Sequence, residues 1–447
     1  MLHPNITPGS NHILHNWSYA NAAARLAAGG FVAADVNKLA LQADNNTLWM
    51  LTNHVGPVWQ QQTYTQAELQ AAYALLAGSS GQVFSVAAAT SAAHAVRADS
   101  IVGKNKIIGG DFSTNPWQRG TSFTAPASGS YTADRFKVVH SSDAIVDILK
   151  TADAPTATQS GVFTQHCYHA DVTTADAAIA AGQYYVIEHD IEGLNAKSFG
   201  FGQAGTRYIT RWFWHKHTKT GTYCVAVINS ANNRSYVTEY TQSVSDQWEL
   251  SSVSIPVDTA GTWLYDTGIG IRLVFTLAAG STYQTTANTW SAGQFYATAN
   301  QVNNLDSIAN NFKIALVQLE AGQVATQFED LSAGTVKSLC ERYYESSYAD
   351  GIVAGTGYLF GFIHVSTGMS TTSIPGAVFR TRKRIAPTVT PYQVFSGAAN
   401  NIYRVGDGAT VGVASVDYIS PNGFGQLSVT AAAQNGYMYH FTASSEL

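Results

Sequence analysis

Charge is what this chain has least of. Asp, Glu, Lys and Arg together supply 12% of its residues, about half the share usual in a soluble globular protein. Hydrophilicity comes instead from Ser, Thr, Asn, Gln and Gly. That balance suits strands and tight turns better than long surface helices, which draw on Glu, Lys and Arg. The formal net charge is -5 and no long basic run occurs, so a nucleic-acid groove, which needs clustered cations, is not expected. Cysteine is scarce too. Cys167, Cys224 and Cys340 are widely spaced and form no CxxC pair. That excludes a disulfide framework or a zinc site and fits assembly in a reducing cytoplasm. The N-terminus shows no basic stretch followed by an apolar core, so no secretory signal is read. No apolar run approaches the roughly 20 residues of a bilayer-spanning helix, and membrane insertion is not expected.

Catalytic signatures are missing as well. There is no Gly-x-Ser-x-Gly elbow, and Gly110-Asp111-Phe112 lacks the serine of an esterase-type Gly-Asp-Ser. No repeated coil pattern points to a parallel β-helix.

What is present is enough apolar sequence for real cores, 45% of 447 residues, with a length that implies two to four domains. Near the start, Lys38 to Gln42 and Thr47 to Thr52 flank Ala43-Asp44-Asn45-Asn46. Asp and Asn tolerate the left-handed backbone of tight turns, so a β-hairpin is expected. Helices are expected next. Thr65 and Glu68 have capping-box spacing, and Val83 to Asp99 is alanine-rich with apolar residues at three- and four-residue steps. From Lys106 to about Asp330 the texture changes to short runs rich in β-branched and aromatic residues. They are Arg135 to His140, Tyr184 to Ile191, Tyr208 to Trp214, Tyr223 to Ile228, Glu249 to Ile255, Ile269 to Leu277 and Phe312 to Leu319. Gly, Asn, Ser or Pro bound each of them, the pattern of an antiparallel sandwich or jelly roll. Ser332 to Ser347 reads as a helix with Val336, Leu339, Cys340 and Tyr343 on one side. Gly351 to Leu447 returns to short strands.

Three passages carry a resemblance. The first is DVNKLALQAD from Asp35 to Asp44, continuing to Thr52 and ending at Pro57-Val58-Trp59. It resembles an N-terminal module of phage tail fibre and appendage proteins. The second is IIGGDFSTNPWQRG from Ile107 to Gly120, with YTADRF from Tyr131 to Phe136 after it. The third is VQLEAG from Val317 to Gly322, then ATQFE from Ala325 to Glu329 and LCERYY from Leu339 to Tyr344. The second and third bracket a jelly-roll domain similar to carbohydrate-binding modules and common in phage tail proteins. The resemblance implies a mainly β, multi-domain homotrimer, with β-sandwich (jelly-roll) domains, a small N-terminal α+β attachment module and short helical linkers. Its expected parts are the attachment module (1–62), a helical linker or stalk (63–104), the jelly roll (105–330), and a short helix with a C-terminal β-domain forming the tip (331–447). The implied function is that of a virion-tail receptor-binding protein, made in the host cytoplasm and adhering non-enzymatically to host surface polysaccharide or a protein receptor. Its implied partners are other tail or baseplate proteins. The alternatives are a purely structural baseplate or collar component, or a polysaccharide-degrading tail enzyme.

Sugar binding normally uses an exposed aromatic ring against the apolar face of the sugar. Candidate ligand contacts are Trp212, Trp214, Trp263 and Tyr265 in the sandwich, with Tyr403 and Tyr437 in the terminal domain; the plainer reading of any one ring is core. Cofactors are not expected, apart from a structural calcium with Asp111 as a ligand, as the resemblance implies. Glu188, Asp190 and Glu192 would share one strand face, and the plainer reading is acids on a sheet edge, solvated or holding a cation. His215 and His217 would also share a side, as a surface or satisfied pair rather than a metal site. The basic stretch Arg380 to Arg384, read as a strand, is a solvated face near a turn or, alternatively, a phosphate or anionic-glycan site.

Overall fold

The computed structural model describes residues 15–45, 47–62, 103–205, 207–366, 371–433 and 436–447. The expected helices between Thr65 and Asp99 lie outside the described residues. The chain forms two compact units, Met1–Ala95 and Val96–Leu447.

In the first unit a four-stranded sheet runs in sequence order, with β1 (Trp17–Tyr19), β2 (Leu39–Gln42), β3 (Thr47–Asn53) and β4 (Val58–Gln62). The expected hairpin is β2–β3, antiparallel from Leu39 opposite Met50 to Gln42 opposite Thr47. Ala40, Leu48 and Leu51 are its buried apolar side chains. Arg25 is buried with them, its guanidinium 3.5 Å over the Trp49 ring and its Nε donating to Gln42 Oε1 at 3.1 Å. Stacking on the indole compensates part of the hydration this cation gives up.

The second unit contains a two-sheet antiparallel sandwich. Its strands are β5 (Ser122–Phe123), β6 (Phe136–His140), β7 (Ile145–Thr151), β8 (Cys167–Thr174), β9 (Tyr184–Glu192), β10 (Tyr208–His217), β11 (Gly221–Asn229), β12 (Arg234–Gln242), β13 (Glu249–Pro256), β14 (Ile269–Ala279), β15 (Trp290–Ala292) and β16 (Asn311–Ala321). One sheet has the order β13-β10-β16-β8-β7-β5 and the other β15-β12-β11-β14-β9-β6. Every β-type run singled out in the sequence between Arg135 and Leu319 is one of these strands.

Two details explain why the bracketing passages belong together. Gly110 accepts from the Val317 amide at 3.0 Å, and a Cβ on Gly110 would sit 2.3 Å from the Val317 carbonyl oxygen. Asn105 Oδ1 accepts from both Ile107 N and Leu319 N at 3.0 Å. The second detail is a bulge in β16. Trp212 lies opposite Gln318 but Trp214 opposite Ala315, and Leu316 takes φ +50°. The irregularity switches the inward parity of β16, so Phe312 and Ile314 before it and Val317 and Leu319 after it all reach the same core.

Both outer faces of the sandwich are covered. On the first sheet Trp212, Trp214, Cys167, Ala315 and Leu316 cluster under Phe328, with Val162 and Trp248 packed alongside. On the second, Val186, Cys224, Ala226, Val237 and Val274 lie with Tyr296 and Ala297.

The same unit continues through the helix Ala333–Glu341, capped by Ser332, into an eight-stranded sheet. Its strands are β17 (Tyr344–Ser346), β18 (Ile363–Val365), β19 (Thr371–Val378), β20 (Thr388–Gln393), β21 (Asn401–Arg404), β22 (Thr410–Asp417), β23 (Gly423–Ala433) and β24 (Tyr437–Ser444). β24 is the hub, pairing with β17, β18, β20 and β21. The helix stops earlier than its sequence pattern indicates. Tyr344–Ser346 pairs with β24 instead, and Leu339 is 38% exposed while Val336, Cys340 and Tyr343 are buried.

The basic stretch is also corrected. Arg380 to Arg384 is not a strand and is solvated only in part, with Arg380 and Arg382 exposed and Lys383 buried. Lys383 is fully buried with Nζ 2.6 Å from Glu345 Oε2, Arg380 pairs with Glu341 and Glu345, and Arg384 donates to the carbonyls of Ser445, Glu446 and Thr267. Acidic partners some forty residues earlier in the chain decide this. Further buried charges join sandwich to terminal sheet. Arg342 pairs with Glu192 at 2.7 Å, Tyr343 Oη donates to Glu192 Oε2 at 2.7 Å, and Glu446 receives both Arg119 and Arg135.

Candidate functional site

The aromatic candidates separate sharply by burial. Trp212 and Trp214, 6% and 8% exposed, lie under the residue 322–329 segment, with Phe328 edge-on to Trp212 at 5.9 Å between ring centroids. Trp263 stacks on Phe201 at 4.1 Å and its Nε1 donates to Ala260 O at 2.7 Å. Tyr265 is half-buried beside it, with its hydroxyl donating to Phe201 O. Tyr437 is fully buried and donates to Ala431 O at 2.8 Å. Trp212, Trp214, Trp263 and Tyr437 are therefore core side chains, because segments distant in sequence close the faces that strand alternation leaves outward. Tyr403 is half-buried, 4.6 Å from the exposed Phe395 ring. The structure brings Trp263 and Tyr265 together around Phe201, and Trp212 with Trp214; Tyr403 stands apart from both groups.

The acidic strand and the histidine pair are likewise interior. Glu188, Asp190 and Glu192 are buried on β9, which is flanked by β6 and β14 and is not an edge. Lys137 and Arg272 neutralise the first two and Arg342 the third. Burial, then the charge of Asp190, raises the Glu188 carboxyl above its ordinary value. His215 and His217 are buried inside the sandwich, with ring centroids 5.3 Å apart; His215 Nδ1 meets Gln242 Oε1 at 2.8 Å and His217 Nε2 meets Tyr240 Oη at 3.0 Å.

Asp111 organises its loop. Its Oδ1 accepts from Thr164 Oγ1 at 2.8 Å and Ser113 N at 3.1 Å. Among the described residues no three His, Cys, Asp or Glu side chains are grouped to hold an ion.

That loop builds the most open aromatic feature of the sandwich. Between β7 and β8 a short helix, Ala157–Ser160, is held by a reciprocal box between Thr156 and Gln159 and ends at Gly161, φ +77°. Val162 then packs inward against the Trp212–Trp214 cluster. Thr164 is buried on Asp111, and the amides of Gln165 and His166 donate to Ser113 Oγ at 2.8 and 2.9 Å. With both flanks pinned, Phe163 is turned outward and is 74% exposed.

Its ring lines two clefts at once. One, of about 380 Å³, is walled by Asp111, Lys150, Gln165, Asp330 and Asp350. The other, of about 740 Å³, is walled by Asp153, Pro155, Thr156 and His166. Lys150 makes no ion pair among the described residues, and burial lowers its ammonium below the ordinary lysine value. Burial, then the charge of Lys150, lowers the His166 imidazole, which favours its neutral form. Burial works to raise Asp153, but bonds from Lys313 and Lys216 outweigh it and keep this carboxyl low and ionised. The groove thus offers one free aromatic face between hydrogen-bond donors and acceptors. Phe163 is not legible as a contact from sequence; the available hint is a large apolar residue after a glycine in an otherwise polar loop.

The chain matches no family model and no curated protein. Solved structures to which parts of it are similar include the enzymatically active domain of tailspike protein 4 of bacteriophage CBA120. The identity is 10% and the TM-score 0.27, over 49% of this chain and 22% of that one, so this chain spans only about a fifth of the tailspike. Another is a structure described as CBM4 structure and function, with 9% identity and TM-score 0.26 over 47% and 100% of the two chains. A third is the family 11 carbohydrate-binding module of the cellulosomal cellulase Lic26A-Cel5E of Clostridium thermocellum, with 11% identity and TM-score 0.24 over 45% and 99%. Likenesses this distant say nothing about a ligand.

Proposed function

We propose that this chain is a glycan-binding adhesin of a phage tail, non-enzymatic, working as a homotrimer and holding host surface polysaccharide. The observation that carries the reading is the outward Phe163 ring, pinned by buried neighbours and flanked by Lys150, Asp111, Gln165 and Asp153. An aromatic face stacks on the apolar side of a pyranose, and the surrounding donors and acceptors orient its hydroxyls. The half-buried ammonium of Lys150, without an ion-pair partner among the described residues, gains hydrogen bonds when a sugar oxygen arrives. Single contacts of this kind are weak, and three copies in one particle raise the avidity by proximity. Phe395 and Tyr403 in the terminal domain form a second, smaller aromatic surface that would serve the same end as the tip of the fibre. The first unit attaches the chain to the rest of the tail.

The test is binding of the purified chain to host cells, with soluble surface polysaccharide as competitor. Saturable, competed binding that Phe163→Ala weakens about tenfold supports the reading, since an aromatic contact contributes about 0.5–1.5 kcal/mol beyond its buried area. Absence of any binding favours a purely structural tail component. New reducing ends in the polysaccharide would make the chain an enzyme, and a monomer in light scattering would remove the trimer.

A further inference from the structure

The outer face of the second sheet carries a closed group of side chains that glycan binding does not use. Lys137 on β6 stands directly across from Glu188 on β9. Its Nζ lies 2.6 Å from Asp190 Oδ2 and 3.5 Å from Glu188 Oε2. The Asp190 side chain is wholly inaccessible and that of Glu188 nearly so. Asp190 Oδ1 accepts no hydrogen bond among the described residues, although Arg272, cross-strand on β14, holds its Nε 3.3 Å away. The Tyr131 ring lies close by, its centroid 5.9 Å from the Lys137 Nζ.

We propose that Lys137 and Asp190 condense spontaneously into an isopeptide bond. The ammonium and the carboxylate first share their proton to become an amine and a carboxylic acid, which leaves the net charge unchanged. Nζ then attacks Cγ of Asp190. The N–C bond forms, the C–OH bond breaks, and the hydroxyl departs as water. Glu188 takes a proton from Nζ and returns it to the leaving hydroxyl, ending as it began. Arg272 faces Oδ1, where negative charge collects in the tetrahedral intermediate. Burial raises the Glu188 carboxyl above its ordinary value, which suits a group that relays a proton. Contact between amine and carboxyl supplies the effective concentration that the uncatalysed reaction lacks. The product amide fastens β6 to its hydrogen-bonded neighbour β9, and it stands or falls independently of the glycan reading.

Intact-mass measurement of the purified full chain tests this. The expected mass is that of the sequence less one water, with a tryptic species joining residues 136–150 to residues 151–197, because trypsin does not cut after an acylated Lys137. Lys137→Met should carry the full mass of its sequence. Asp190→Asn should lose ammonia in place of water, since the amide nitrogen then leaves. Glu188→Gln should leave most of the chain unlinked. A wild-type chain of full mass overturns the proposal, as does a loss of water that persists in Lys137→Met. Should the variants not accumulate, the wild-type mass and peptide map decide alone.

Discussion

Three histidines buried in the sandwich make its stability sensitive to mild acid. Burial, then the charge of Arg135, lowers His189 to about 3. Burial lowers His215 to about 4, against the bond from Gln242 and the charge of Glu249, which favour protonation. Burial, then the charge of His215, holds His217 well below its ordinary value. In the unfolded chain all three titrate near 6.5. These folded values are depressed, so below about pH 6.5 the unfolded state binds protons that the folded state refuses. Stability is therefore intact above that pH and falls as pH drops toward the folded values. Each histidine costs about 1.2 kcal/mol between about pH 6 and pH 5, and the three together about 3.5 kcal/mol. Carboxyls raised by burial, Asp134, Glu188 and Glu341, push the other way, so the decisive measurement is a difference between variants. His217 stacks at 4.1 Å on Phe312 and lies tilted against Tyr223 at 4.4 Å, with Tyr240 and His215 completing its surroundings. His217→Phe keeps the ring and removes the titrating group. Urea unfolding at the two pH values should show the variant losing about 1.2 kcal/mol less than the wild type. Identical pH dependence in the two proteins would refute the reasoning.

Other outcomes follow from packing. Gly110→Ala drives a Cβ into the Val317 carbonyl and should cost about 2–4 kcal/mol; an unchanged urea midpoint would contradict the close approach. Trp212→Ala should cost about 3–5 kcal/mol through the cavity beneath Phe328, whereas Phe163→Ala should change stability by less than about 0.5 kcal/mol. Thermal melts of the pair separate core from contact. Glu345→Ala strands the fully buried Lys383 ammonium and should cost about 3–5 kcal/mol; adding Lys383→Met should recover most of that loss, and failure to recover would locate the effect elsewhere.

The strands of the sandwich were legible because alternation of β-branched and aromatic residues between Gly and Asn turns is a local property, readable within ten residues. The hairpin at Ala43 was legible for the same reason. The pairing of the Ile107 and Val317 passages could be read only as resemblance, yet its cause is physical, a glycine that must meet a carbonyl two hundred residues away. The site was read poorly. Period-two logic correctly places Trp212 and Trp214 opposite Phe213, but it cannot say that Phe328 and Val162 then cover them.

Sequence by itself determined the strand content, the hairpin and the choice of β-sheet over helix, all consequences of propensity and periodicity between near neighbours. Tertiary structure alone decided which aromatic face stays open, that Lys383 is buried against Glu345 while Arg380 pairs with Glu341 and Glu345 beside it, and that Glu188 and Asp190 are sealed against Lys137 and Arg272. Those outcomes depend on which distant segment comes to lie over a given surface, and on whether a charge finds its partner there. No local pattern encodes either.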